Sequence, residues 1–365
     1  MKKRLEYIDM VKGIGILGII VMHSSVMPTQ RAVSWVSSFA TPLFFLTSGL
    51  LIGCTGEEEK SGREVLLRKS RSLLLPFLYF SLICILRDTF RMAAGTCDAE
   101  ELKLQGIALV TFWGSSVLWF LPALFLSEIL FVFLKKKLKT AGTCAAVLLL
   151  TAVSFFLDDM LMKQAVFLPP GKGSYALLCV VRTVFRSVYA LPYVCTGYVL
   201  FRVGKSVWEE EGGRSVRQFF GGIVLFVSGI PLSVLNGYFD LRSLDMGDTP
   251  VLAYLSAALS FLGVLFICKN CRPIKPLSYF GKNSLIVMAT HIDFYLLYIA
   301  LNAAYRVNNY IPGWNRVFFF VNVVGIILIL EIPCIEAVNR FFPFLLGKRR
   351  VPPERKYSHD RGSLI

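Results

Sequence analysis

The chain has 365 residues, 55% hydrophobic and only 17% charged, with a formal net charge of +15. A soluble domain carries about a quarter charged residues, and here the apolar residues fall in blocks of about 20, the length that crosses a bilayer; a soluble or disordered chain is excluded. The positive charge does not point to nucleic acid, because the basic residues gather in short segments between the apolar blocks, as they do in the cytoplasmic loops of membrane proteins.

Ten spans are predicted, near residues 8–27, 35–54, 72–92, 113–134, 142–160, 177–201, 218–236, 249–268, 281–302 and 317–341. The expected fold class is therefore an all-α polytopic bundle of about ten transmembrane helices. Several spans contain proline (Pro42, Pro76, Pro122, Pro192, Pro333), which neighbouring helices can accommodate.

The first span lies in YIDMVKGIGILGIIVMHSS, Tyr7 to Ser25. No small-residue cleavage site follows it, so it reads as a retained helix rather than a signal peptide. Three residues break its apolar character: Asp9, Lys12 and His23. Eleven helical steps from Lys12 to His23 make about 1100°, about 20° past three turns, so the two share a face about 16 Å apart along the axis. Asp9, three residues before Lys12, joins that face within pairing reach. An ionisable group inside a membrane span is a functional hypothesis by default. The chain has only three histidines, His23, His291 and His359, and histidine is the side chain suited to proton transfer near neutral pH. His23 is the first candidate base and His291 the second. Gly13, Gly15 and Gly18 thin this helix, which suits either a buried site or close helix packing.

The segment after the second span contains LLRKSRSLLLPF. Arg68 and Arg71 are three apart and share a helical face. Paired guanidiniums suit phosphate, and positive-inside bias explains the same pair. With the N-terminus inside, the inner segments hold 25 Lys and Arg and the outer loops about 7, which places both termini in the cytoplasm. The longest outer loops, 93–112, 158–176 and 237–248, are too short to fold alone, so residues 1–345 read as one membrane domain and 346–365 as a basic cytoplasmic tail.

Further ionisable residues fall within the spans: Arg87, Glu128, Arg182, Arg186, Lys282, Glu331 and Glu336. Glu128 and Glu331 are expected to be the most buried. Pairing with Arg182 or Arg186, a place on a pathway and tuning of His23 are all open for them. The nine cysteines are scattered, and Cys268 and Cys271 form a lone CxxC without a second pair, so no metal site is expected. LPPGKGS lacks the full phosphate-loop spacing and falls in an outer loop.

Four stretches combine into one pattern: YIDMVKGIGILGIIVMHSS, with a basic residue, a ten-residue gap and a histidine; RKSR before SLLLPFLYFS; LWFLPALF; and YFGKNSLIVMATH. Over residues 4–295 they resemble the acyltransferase-3 family, integral membrane proteins that O-acylate cell-surface glycans. One position departs: many members have arginine where this chain has Lys12, as polysaccharide-type members often do. The chain also reads as lacking the extracytoplasmic esterase-like domain of some members.

The resemblance implies a membrane-bound O-acyltransferase of the bacterial plasma membrane. Acyl-CoA, with acetyl-CoA expected, would be the donor substrate, and no cofactor would be permanently bound. Arg68 and Arg71, with Lys12, would hold the donor's phosphates. His23, with Asp9 and Lys12, would deprotonate a hydroxyl of an extracytoplasmic glycan. His291, Asn283, Ser284, Glu128 and Glu331 are expected to form a second polar site. The partners would be the lipid bilayer, acyl-CoA and the glycan acceptor, with no nucleic acid. The alternative is a proton-coupled secondary transporter of an amino acid or glycan precursor, which intramembrane His and Glu also suit, although no inverted repeat is visible. A structural scaffold explains the hydrophobicity and leaves the polar stripe unexplained.

Overall fold

The computed structural model describes residues 5–24, 29–165, 171–209, 214–310 and 316–348. The first basic segment, residues 1–4, and the tail from 349 with His359 lie outside the described residues. The chain is all-helical, 84% helix with no strand among the described residues. It opens with α1 (Glu6–His23), α2 (Gln30–Ala40), α3 (Pro42–Thr55) and α4 (Gly62–Lys69). Then come α5 (Leu75–Ala93), α6 (Ala99–Val110), α7 (Phe120–Lys137), α8 (Thr140–Ala165), α9 (Lys172–Val203) and α10 (Lys205–Glu209). The last third holds α11 (Val216–Asn236), α12 (Pro250–Asn270), α13 (Lys275–Lys282), α14 (Ser284–Thr290), α15 (Leu296–Tyr310) and α16 (Arg316–Phe341).

Among the described residues, seven stretches are long and apolar enough to cross a membrane: 30–55, 62–93, 140–163, 172–203, 216–236, 250–270 and 316–341. Only 17% of the most apolar stretch of α11 is buried inside the protein, against 78% of that in 30–55. Leu148, Leu149, Phe156, Val224 and Ile329 lie bare on the outer helices. In water such a surface would aggregate; in lipid it is the solvated face. This is a membrane protein.

The other three predicted spans fall short for reasons that bear on function. The 18 residues of α1 include Glu6, Asp9 and Lys12, and the 18 of α7 include Glu128 and Lys135 to Lys137. The segment 281–302 is broken: α14 stops at Thr290 and α15 starts at Leu296. The segment 113–134 also begins later than expected. Residues 111–119 form a loop, with Phe112, Gly114 and Ser116 at positive φ, and the helix starts at Phe120.

Local sequence explains other irregularities. Pro76 cannot donate to Ser72 and its ring crowds that carbonyl. The helix yields with a π turn over Ser70–Leu74, in which the Leu75 N–H reaches back to the Ser70 carbonyl, so 62–93 runs on through the proline. Pro42 opens α3 where α2 ends. Helix crossings use small residues. A Cβ on Gly13 would strike Leu277, and one on Gly281 would strike the Asp9 backbone, so α1 and α13 meet backbone to backbone. Gly15 faces Leu43 and Phe44, and Gly18 faces Ala40. All three glycines of α1 serve helix packing.

Candidate functional site

His291 sits where α14 ends. The break after it contains Tyr295 at φ 59, and the His291 carbonyl accepts the Leu297 N–H at 2.8 Å. Arg87 of α5 holds the break, donating to the Asp293 carbonyl at 2.6 Å. The His291 ring packs on that of His23 with centroids 5.1 Å apart.

Hydrogen bonding fixes the tautomers of this pair. His291 Nδ1 lies 2.8 Å from the Val287 carbonyl. A carbonyl only accepts, so Nδ1 carries the proton and His291 Nε2 is an acceptor. That atom is 2.9 Å from His23 Nδ1, which must then donate. The lone pair of neutral His23 is left on Nε2. A base oriented by a second ring, itself held by a backbone carbonyl, is the arrangement of a general base with an orienting partner.

His23 borders a cavity of about 210 Å³. Trp119, Phe120, Tyr238, Asp240, Arg242 and Met288 line it with the histidine. Burial, and then the carboxylates of Asp240 and Asp245, push the Tyr238 phenol above its ordinary value, so it is a neutral hydroxyl.

A second cavity, of about 310 Å³, lies further along the bundle. Lys12, Ser48, Glu57, Lys69, Glu128 and Ser284 supply its polar lining. Lys69 Nζ lies 3.0 Å from Glu128 and 3.1 Å from Glu57, while Arg68 reaches Glu57 at 2.5 Å. Ser48 donates to Glu128. Two nearly buried carboxylates are thus neutralised by Arg68 and Lys69, the last two residues of α4. Phe120 and Met288 line both cavities, so these two side chains stand between the Lys12 chamber and the His23 chamber.

The structure distributes the sequence candidates unevenly. Lys12 and His23 lie on one helix and border the two chambers. Asp9 is buried where α1 crosses α13. Arg68 and Arg71 share a separate groove with Leu67, Phe77 and Phe112. The five residues of the expected second polar site do not form one cluster. His291 joins His23, while Glu128 and Ser284 border the Lys12 chamber. Asn283 accepts from Asn339 at 2.8 Å and donates to the Tyr279 carbonyl, and Glu331 accepts from the Thr290 hydroxyl. Neither glutamate meets Arg182 or Arg186, which donate to the carbonyls of Ser243, Arg242 and Trp113. Among the described residues no group of three or more His, Cys, Asp or Glu could hold a metal.

Two contributions have little or no signal along the chain. Lys69 faces the Lys12 chamber between two arginines that do not line it; Leu73, one turn on, lines the same chamber and is the available signal. The loop 237–249 supplies Tyr238, Asp240 and Arg242 to the His23 chamber, and no spacing in the sequence indicates it.

The acyltransferase domain model of the acyltransferase-3 family matches residues 5–335. No curated protein and no solved structure matches the chain.

Proposed function

This chain belongs to the acyltransferase-3 family and is an acyltransferase, and on that premise we propose that it moves an acyl group, of the acetyl kind, from cytoplasmic acyl-CoA to a hydroxyl of an extracytoplasmic glycan. It would cross the plasma membrane ten times, with both termini in the cytoplasm. The three spans that fail a test of apolar length are α1, α7 and α14–α15. Lys12 of α1 and Glu128 of α7 line one chamber, and His291 at the α14–α15 break packs on His23 at the other, as a transfer path through a bundle requires.

The observation that carries the reading is the pair of chambers meeting at Phe120 and Met288. Lys12 and Lys69 line one chamber, Arg68 is joined to it through Glu57, and Arg71 lies in the adjoining groove that Arg68 also lines. Arg68, Arg71 and Lys12 would hold the phosphates of the donor, whose thioester end would point at the Phe120–Met288 septum. His23 borders the other chamber.

The chemistry then balances simply. The acceptor hydroxyl loses its proton to His23 Nε2 as its oxygen attacks the thioester carbonyl. The C–S bond breaks, an ester forms, and the imidazolium returns the proton to the departing thiolate. His291 holds the tautomer that makes Nε2 the acceptor. Asp9, behind the α1–α13 crossing, would steady the helix that carries Lys12 and His23. The proton-coupled transporter is not favoured, because the family spanning the chain is one of acyltransferases.

Mass spectrometry of surface glycans from cells with and without the protein tests the reading. One acyl group per repeat, present only with the protein, is the expected result. Identical glycans in the two would remove the acceptor assignment.

A further inference from the structure

One wall of the His23 chamber is a single loop, and its side chains have no part in the proton transfer above. Tyr238, Asp240 and Arg242 all come from residues 237–249 between α11 and α12.

That loop is built, not slack. Asn236 ties its two ends, donating to the Met246 carbonyl and accepting the Thr249 N–H, each at 2.8 Å. Asp240 and Asp245 exchange two backbone hydrogen bonds of 2.8 and 3.0 Å. Phe239, Leu241, Leu244 and Met246 are buried beneath it. Helix α9 then grips it with two arginines. Arg182 donates to the Ser243 carbonyl at 2.7 Å. Arg186, only 1% exposed, donates to the Arg242 carbonyl at 2.6 Å and to the Trp113 carbonyl at 3.0 Å. Its guanidinium lies 3.4 Å from the centre of the Trp113 ring. Burying a guanidinium is costly unless its donors are satisfied, and here they are satisfied by fixing the loop.

The side chains on this wall define what fits. Asp240 Oδ1 accepts the Arg242 N–H at 2.9 Å, and Oδ2 accepts the Ser243 hydroxyl at 3.0 Å. A carboxylate has about four acceptor sites, so about two remain for a ligand. Arg242 offers donors only. An anionic ligand would suit Arg242 and be repelled by Asp240; a cationic one would meet the reverse. A neutral ligand with several hydroxyls satisfies both, because each hydroxyl donates and accepts. The rings of Trp119 and Tyr238 offer apolar faces to its C–H groups. The chamber, at about 210 Å³, is smaller than the roughly 300 Å³ at which pockets for drug-sized ligands begin. It suits one sugar ring.

We propose that Asp240, Arg242, Tyr238 and Trp119 form the acceptor subsite, and that its ligand is a single uncharged pyranose unit presenting a hydroxyl to His23. This rests on the acyl-transfer reading and specifies its acceptor.

The test uses the full chain in lipid nanodiscs with acetyl-CoA as donor, following CoA release. The acceptor probes are the methyl glycosides of glucose, galactose, mannose and N-acetylglucosamine, with methyl glucuronide as the charged counterpart. At least one neutral glycoside is expected to drive saturable release, with the glucuronide at least about ten-fold poorer. Asp240→Asn and Arg242→Gln are each expected to raise the KM for that glycoside about ten-fold, the loss of one hydrogen bond to a charged group. The kcat and the KM for acetyl-CoA should stay within about two-fold, a split that general unfolding would not produce. The Arg242 carbonyl held by Arg186 is unaltered by the substitution, so the loop keeps its anchor. Unchanged glycoside KM in both variants overturns the subsite and leaves acyl transfer standing. Preference for the glucuronide overturns the uncharged assignment. No release with any glycoside overturns the acyl-transfer reading and the subsite together.

Discussion

The two chambers differ in what their arginines and lysines hold. Around Lys69, charges are held by charges: Glu57 and Glu128 flank its ammonium, and Arg68 closes on Glu57. Around His23, arginines chiefly hold the backbone of loops. Arg182 and Arg186 donate to the carbonyls of Ser243, Arg242 and Trp113, and Arg87 donates to the Asp293 carbonyl while also holding the Asp88 carboxylate through two hydrogen bonds of 2.8 Å. An ion cluster holds its side chains to one another, and Lys12 adds a further cation to that wall. An arginine on a carbonyl fixes a loop and leaves its side chains available, which suits recognition of a neutral acceptor. The two ends therefore differ in what a substitution should damage.

The largest effect is expected at the histidine. His23→Ala should lower acyl transfer about 10²- to 10⁴-fold, the usual worth of a general base, while the protein still inserts in the membrane. CoA release within two-fold of the unaltered rate would remove His23 from the chemistry. Next comes the ion cluster. Lys69→Met leaves Glu57 and Glu128 without their shared cation, and breaking a buried pair costs about 3–5 kcal/mol. Thermal unfolding in detergent should show that loss; an unshifted transition would mean the cluster is not structural.

Arg186→Met sharpens the contrast between the ends. Hydrogen bonds to charged groups contribute about 1.5–3 kcal/mol each, and here they tie two loops. Deuterium exchange should rise in residues 237–249 and 111–119 while the Lys69 region stays protected. Exchange rising equally at both ends would dissolve the distinction. The smallest effect is expected at the septum. Phe120→Ala should widen the passage between the chambers and raise the use of butyryl-CoA relative to acetyl-CoA by about ten-fold, equivalent to roughly 1.4 kcal/mol. An unaltered donor preference would place the acyl path elsewhere.

Much of this protein is legible in its amino-acid order. Helical periodicity alone puts Lys12 and His23 on one stripe, and they do border successive chambers. The resemblance in the late YFGKNSLIVMATH stretch points to the segment that carries His291. The break after it is not legible, because residues 291–295 contain no glycine or proline to announce it. It is held from outside by Arg87 on another helix. The pairings of Glu128 and Glu331 are equally hidden: their partners, Lys69 and Thr290, are 59 and 41 residues away in sequence.

The sequence by itself determined the membrane class, the family pattern and the polar stripe of α1. The membrane class follows from composition, the stripe from the period of one helix and the family from the resemblance of four short motifs, all of them local in the chain. The tertiary structure alone decided that His291 fixes the tautomer of His23, that Lys69 enters the Lys12 chamber, and that the 237–249 loop walls the His23 chamber. These depend on which helices are neighbours. That is settled where glycines let backbones touch and where buried charges find partners, and neither leaves a spacing to read along the chain.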